Sequence, residues 1–207
     1  MNAISNLPLA KQEVPTVFGT PWEGGYFAGI ITFGGDVFAQ VVAPKADGDL
    51  DLAIWHHDYK LIAGTDSFFD GLANTQAMAE AGSAIAQQVL ELRIAGFDDW
   101  HIGARDQVEL LYRGFKPTTE ENYVYRSGDN PSSLPVGYPY SIHLPGQTPV
   151  ELFREGGAEA FEDTRYWTST QYSAYDAWFQ DFAGGGQGAG YEGSKGRVRA
   201  VRRVKIS

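Results

Sequence analysis

Polar and apolar positions alternate with period two towards both ends of this chain and fall at helical spacing in its middle. Residues 26–33 (Tyr-Phe-Ala-Gly-Ile-Ile-Thr-Phe) have the aromatic and β-branched make-up of a strand, Gly34-Gly35-Asp36 that of a hairpin turn, and residues 37–43 that of the returning strand, stopped by Pro44. Ala46-Asp47-Gly48-Asp49 predicts another turn, and residues 52–55 a weaker strand. The middle differs. Asp70-Gly71-Leu72-Ala73-Asn74-Thr75 leads into an alanine-rich helix over 76–81, with Asp70 or Asn74 as its cap. Gly82-Ser83 interrupts it, residues 84–94 resume helical spacing through Ile85, Val89 and Leu92, and Gly96 closes the run. A second helix opens at residues 103–106, with Val108, Leu111, Tyr112 and Phe115 at i, i+3, i+4 and i+7, a core-facing stripe that Pro117 ends.

From 118 to 164 the periodicity lapses. Gly128-Asp129-Asn130-Pro131, Pro135, Gly137-Tyr138-Pro139-Tyr140 and Leu144-Pro145-Gly146 predict a long irregular region, with one short helix over 149–155. Alternation then returns. Ala177, Phe179 and Asp181 face one way and Trp178, Gln180 and Phe182 the other; Val198 and Ala200 face opposite to Arg197, Arg199 and Val201. Between these runs lies a glycine-rich excursion, 183–196, that carries Gln187, Tyr191, Glu192 and Lys195. A strand, a polar excursion and a closing strand form a scaffold that presents a surface, which points to binding before catalysis.

Pro8 and Pro15 preclude a helix through residues 1–20, whose Leu7, Leu9, Val14, Val17 and Phe18 need something to pack on, in this domain or on a neighbouring subunit. The expected organisation is an extended arm, 1–20, followed by one α+β domain, 21–207.

Composition narrows the function. A chain of 207 residues with 43% hydrophobic and 14% aromatic content can build a packed core. It has no cysteine, which removes disulfides, thiolate metal sites and cysteine nucleophiles. A net charge of −10 disfavours nucleic acid and anionic membranes as partners. The one basic cluster, 197–205, lies on a strand whose alternation turns some arginines inward or into ion pairs. No stretch has the length of a membrane span, and the N-terminus does not look like a signal peptide.

The chemistry-bearing residues carry little. His56 and His57 are adjacent and project to opposite faces of a strand, so they do not share a metal. His101, between Trp100 and Ile102, reads as a buried hydrogen-bonded histidine, and His143 stands alone. Ser169 is in no Gly-x-Ser-x-Gly elbow. Asp47, Asp49 and Asp51 alternate as oxygen ligands do but lack the glycine and distal glutamate of an EF-hand. Glu120-Glu121 and Asp98-Asp99 read as solvated carboxylates. Of Trp100, Trp167 and Trp178, strand alternation assigns at least two to the core. No enzyme activity, metal or cofactor is expected.

Three segments taken together resemble the DUF1566, or Lcl C-terminal, domain family: Asp70–Thr75, Asp99–Tyr112 (Asp-Trp-His-Ile-Gly-Ala-Arg-Asp-Gln-Val-Glu-Leu-Leu-Tyr), and Tyr166-Trp167-Thr168-Ser169-Thr170 continuing to Arg197–Arg202. Their order matches an Asn-Thr helix, a D-W-R-L-P-(T/S)-R-D-E-L step, a Y-W-S-S-T strand and a closing R-x-V-R strand. Ile102-Gly103-Ala104 departs from the family's Leu-Pro-(Thr/Ser). Residues 116–119 and 128–133 are similar to those of members carried by tailed bacteriophages.

The resemblance implies a C-type-lectin-like fold, with two helices packed on small twisted antiparallel sheets and long irregular loops. Neither sugar-and-calcium motif of true C-type lectins occurs. The related formylglycine-generating enzymes resemble the chain around residues 105–112, but their copper-binding cysteines are absent. The resemblance implies a virion protein of the tail, baseplate or capsid surface, made in the host cytoplasm. It would bind a host glycan or protein, touch other virion proteins through residues 1–20, and form a homo-oligomer, by analogy a trimer. A structural capsid-decoration or tail-assembly role is the alternative. Some phage relatives diversify their final strands and loop, and the matching positions are Gln171, Tyr172, Ser173, Tyr175, Gln180, Gln187, Tyr191 and Glu192. These mix tyrosines with small adaptable neighbours, as binding loops do.

Overall fold

The computed structural model describes residues 13–206. Strand β1 (Pro21–Trp22) is followed by β2 (Gly25–Phe33) and β3 (Asp36–Val42), the expected hairpin, with Phe33 opposite Asp36 and Tyr26 opposite Val42. A single helical turn, α1 (Lys45–Gly48), then leads to β4 (Asp49–Ile54). Helices α2 (Gly71–Glu80) and α3 (Ala84–Leu90), the short β5 (His101–Ile102) and helix α4 (Arg105–Phe115) occupy the middle. After β6 (Ser133–Leu134) and one 3-10 turn (Glu151–Phe153) come β7 (Arg165–Gln171), β8 (Asp176–Asp181), β9 (Gln187–Tyr191) and β10 (Lys195–Lys205). The class is α+β.

Everything is hung on β10. Its first half pairs antiparallel with β4 and touches β7 in parallel through Arg197 and Tyr166. Its second half pairs antiparallel with β3 and β5. An irregularity between Gly196 and Val198 lets one strand serve two sets of neighbours. The result is a single ten-stranded network, ordered β1-β2-β3-β10-β7-β8-β9 along its main path, with one parallel contact. The small antiparallel sheets expected are joined into this one network, because an eleven-residue strand is long enough to reach them all.

The cations of β10 do not form a basic face. Arg197 pairs with Asp49 (3.1 Å), Arg199 with Glu159 (2.5 Å), Arg202 with Asp99 (2.6 Å), Arg203 with Asp70 (2.7 Å) and Lys205 with Asp36 (2.8 Å). Arg199 is buried, and its Nε also donates to the Ala43 carbonyl (2.7 Å). Burial pushes the Asp49 carboxyl up despite Arg199 and Arg197 beside it. Val198, Ala200 and Val201, interleaved with these residues, are fully buried.

One cluster of core residues gathers Trp55, Met78, Ile85, Val89, Trp100, Ile102, Trp167 and Val198 beneath α2 and α3. The other packs the α4 stripe, Val108, Leu111, Tyr112 and Phe115, against Phe153, Phe161, Tyr166 and Phe182. Phe115 stacks on Phe153 (4.0 Å) and Phe161 on Phe182 (4.1 Å). Trp100 and Trp167 are thus core, while Trp178 is half-buried. Asp70 caps α2, its carboxylate accepting the Ala73 N–H (3.0 Å), whereas Asn74 sits inside the helix and holds Ser67. The α2 helix begins five residues before the alanine-rich run, at Gly71 rather than residue 76.

The irregular region is held by buried side chains. Asn122 donates to the Ser141 and Pro145 carbonyls (3.0 and 2.9 Å) and accepts from Tyr112 and Lys116. Asn130 donates to Glu109 (2.5 Å), and Tyr140 donates to the same carboxylate (2.8 Å). Loops with this much internal bonding behave as scaffold. The helix expected over 149–155 shrinks to the 3-10 turn. Of the arm, residues 13–20 lie across their own domain: Phe18 packs on Phe27 and Phe115, and the Gly19 N–H donates to Phe27 O (2.9 Å). Residues 1–12 lie outside the described residues.

Candidate functional site

The eight residues singled out in the sequence divide by depth. Tyr172, Tyr175 and Tyr191 are 60%, 61% and 48% exposed. Ser173 shapes the turn between β7 and β8, its hydroxyl accepting the Tyr175 and Asp176 N–H groups and donating to the Asp176 carboxylate (3.0 Å). The other four lie inside. Gln180 is fully buried and donates to the Gly185 carbonyl (2.9 Å). Gln187 accepts the Gly128 N–H (3.0 Å) and so fastens the irregular region to β9. Gln171 donates to Lys60 O (2.7 Å) and to Glu192 (2.8 Å), and accepts from Ile62 N (2.8 Å). Glu192 is fully buried, and burial pushes its carboxyl up to about 7. These four support the surface from beneath rather than forming it.

The excursion expected over 183–196 is in part a strand. Within it β9 pairs with β8, placing Gly188 opposite Phe179 and Gly190 opposite Ala177. A Cβ on Gly188 or Gly190 would come within 3.0 or 3.3 Å of the Phe179 ring, so these glycines make room for a cross-strand aromatic. This short hairpin brings Tyr191 beside Tyr175.

The surface gains members that the sequence did not mark. Tyr59, in the segment after β4, stacks on Tyr191 (5.1 Å between centroids, 19° between planes) and lies nearly parallel to Tyr175 (6.5 Å, 25°). Its backbone is left-handed, φ +47°, a conformation that costs energy for an aromatic residue and persists only where neighbours enforce it. His56 is one such neighbour, its Nδ1 accepting the Asp58 N–H (3.0 Å). Further along, Tyr172 packs edge-on against Trp178 (5.3 Å), and Trp178 against Phe68 (5.8 Å). The Arg105 guanidinium lies over both Phe68 and Trp178, at 5.0 and 5.1 Å. Phe68 also lines a groove of about 980 Å³ with Phe33, Phe69, Asp66, Asn74 and Ser132. The available signal was three aromatics, Tyr59, Phe68 and Phe69, in a polar segment with no strand or helix period.

Chemically the site is a field of rings. Aromatic faces pack against the C–H faces of sugars or against apolar side chains, and phenol hydroxyls donate and accept. His101, buried and pushed down to about 4 by desolvation, is a neutral core residue. His56 is buried against the Ala81 carbonyl and His57 is exposed. Among the described residues no group of three or more His, Asp or Glu side chains is placed to hold a metal ion, and no helix is long and apolar enough to cross a membrane. No family model matches this chain, and no curated protein matches it.

Proposed function

We propose that this protein is a recognition module, a member of the DUF1566-type, C-type-lectin-like group borne by a phage virion, that binds a host glycan or protein. One observation carries the reading: Tyr59, Tyr175 and Tyr191 form an exposed tyrosine stack on a buried polar frame. Ordering aromatic rings in water forfeits side-chain entropy that contact with a ligand offsets. The closing-strand arrangement that carries the resemblance also lies at the centre of the sheet network. On this reading the ligand meets Tyr59, Tyr172, Tyr175 and Tyr191, residues 1–20 face other virion proteins, and the protein acts as an oligomer without catalysis.

Cryo-electron microscopy of the particle or oligomer that carries the protein tests this placement. The tyrosine stack facing solvent, with residues 1–20 in contact with a neighbour, is the expected result. A stack sealed against another subunit overturns host recognition and leaves the structural role.

A further inference from the structure

Glu192 is the polar group of this surface that recognition leaves unused. Its backbone joins the elements that carry the tyrosines: its N–H donates to Tyr175 O (2.9 Å), and its carbonyl accepts the Trp55 N–H (2.9 Å). Its side chain is fully buried, with Oε1 accepting from Gln171 (2.8 Å) and Oε2 without a hydrogen-bond partner among the described residues. Gln171, in turn, fastens the segment bearing Tyr59. Its amide donates to Lys60 O and accepts from Ile62 N and the Thr65 hydroxyl (3.2 Å), while its own backbone N–H donates to Thr65 O (2.7 Å).

The charged groups around this pair supply no compensation. Asp176, at the start of β8, adds a second negative charge. The Lys60 ammonium is held by Asp58 (2.9 Å), His56 is committed to Ala81 O and Asp58 N, and His57 and Lys195 are exposed. The Tyr59 hydroxyl beside it pushes the Tyr191 phenol up from its ordinary value.

We propose that Glu192 and Gln171 form a proton-operated latch: with Glu192 protonated, residues 56–65 are held down and Tyr59 completes the tyrosine stack, and ionisation of Glu192 loosens them. The biological use of the latch rests on the tyrosine stack being the recognition face; the latch itself does not. Burial without a counter-charge raises this carboxyl to about 7. In the open state the carboxyl is solvated and returns to the ordinary range near 4.3. The closed state therefore holds its proton more tightly. Closure is strongest below the open-state value, weakens as pH rises towards 7, and is constant above it, a span of roughly two to three orders of magnitude in the closing equilibrium.

Amide hydrogen exchange on the full, ligand-free chain reads this directly. The protection factor of the Ile62 amide is expected to fall between pH 5 and pH 8 by tens to about a hundredfold, while amides of β3 and β10 hold theirs. Glu192→Gln is expected to keep the low-pH protection at both pH values, and Asp176→Asn to move the transition to lower pH. Flat protection of Ile62 in the wild type, or an undiminished fall in Glu192→Gln, overturns the latch. Should Glu192→Gln not fold, carboxyl carbon NMR of the wild type decides. Titration near 7 together with shifts of the Tyr59 ring supports the latch; titration near the ordinary glutamate value overturns it. Failure of recognition is separate, because tyrosine variants that bind as the wild type does leave these exchange results unchanged.

Discussion

At the scale of single residues, the molecule is stabilised by charges placed where they are costly to leave alone. Arg199 faces Glu159 and Asp49 in the interior, and truncating it leaves Glu159 without a cation and Asp49 with Arg197 alone. Arg199→Ala is expected to destabilise the fold by about 3–5 kcal/mol in denaturant titration. Arg203→Ala, at a partly exposed pair, is expected to cost about 1 kcal/mol or less. Glu192 gives a sign that is easily checked. Its folded-state value is raised above its unfolded one, so its stabilising share is complete below the unfolded value and lost as pH rises to about 7. In Glu192→Gln, stability is therefore expected to lose that component of its decline between pH 4.5 and 7.

Elements show which parts of this architecture are legible from sequence. The β2–β3 hairpin and the α4 stripe announce themselves because alternation and the i, i+3, i+4, i+7 spacing each have one structural meaning. Strand β9 does not, because its glycines remove the side chains that would display a period; they are there for Phe179. The buried glutamines were misleading for a related reason. Gln171 and Gln187 look like surface positions on strands, yet their amides bond to backbone in other segments, and partners so distant in sequence leave no local pattern; Gln180 turns inward to the Gly185 carbonyl of its own hairpin. Helix α2 carries a similar hidden constraint. A Cβ on Gly71 would lie 2.3 Å from Gln107 Oε1 and 2.5 Å from the Ile102 carbonyl, where α2, β5 and α4 meet. Gly71→Ala is expected to destabilise by about 1–3 kcal/mol, despite alanine's higher helix propensity, with the melting temperature as readout.

For the whole molecule, the eleven residues of β10 tie the β2–β3 hairpin, β4 and the β7–β9 strands into one sheet network, within which Tyr59, Tyr175 and Tyr191 come into one stack. Sequence marked the last two tyrosines as candidate surface residues; Tyr59 joins them only through the fold. The most direct test of the recognition face is binding of fluorescently labelled protein to host cells and to glycan arrays. It compares Tyr59→Ala/Tyr175→Ala/Tyr191→Ala with Tyr123→Ala/Tyr125→Ala/Tyr138→Ala, exposed tyrosines of the irregular region. The first variant is expected to lose at least about thirtyfold in affinity, some 2 kcal/mol, and the second less than about threefold. Binding lost only in the second variant, or kept in both, contradicts the account.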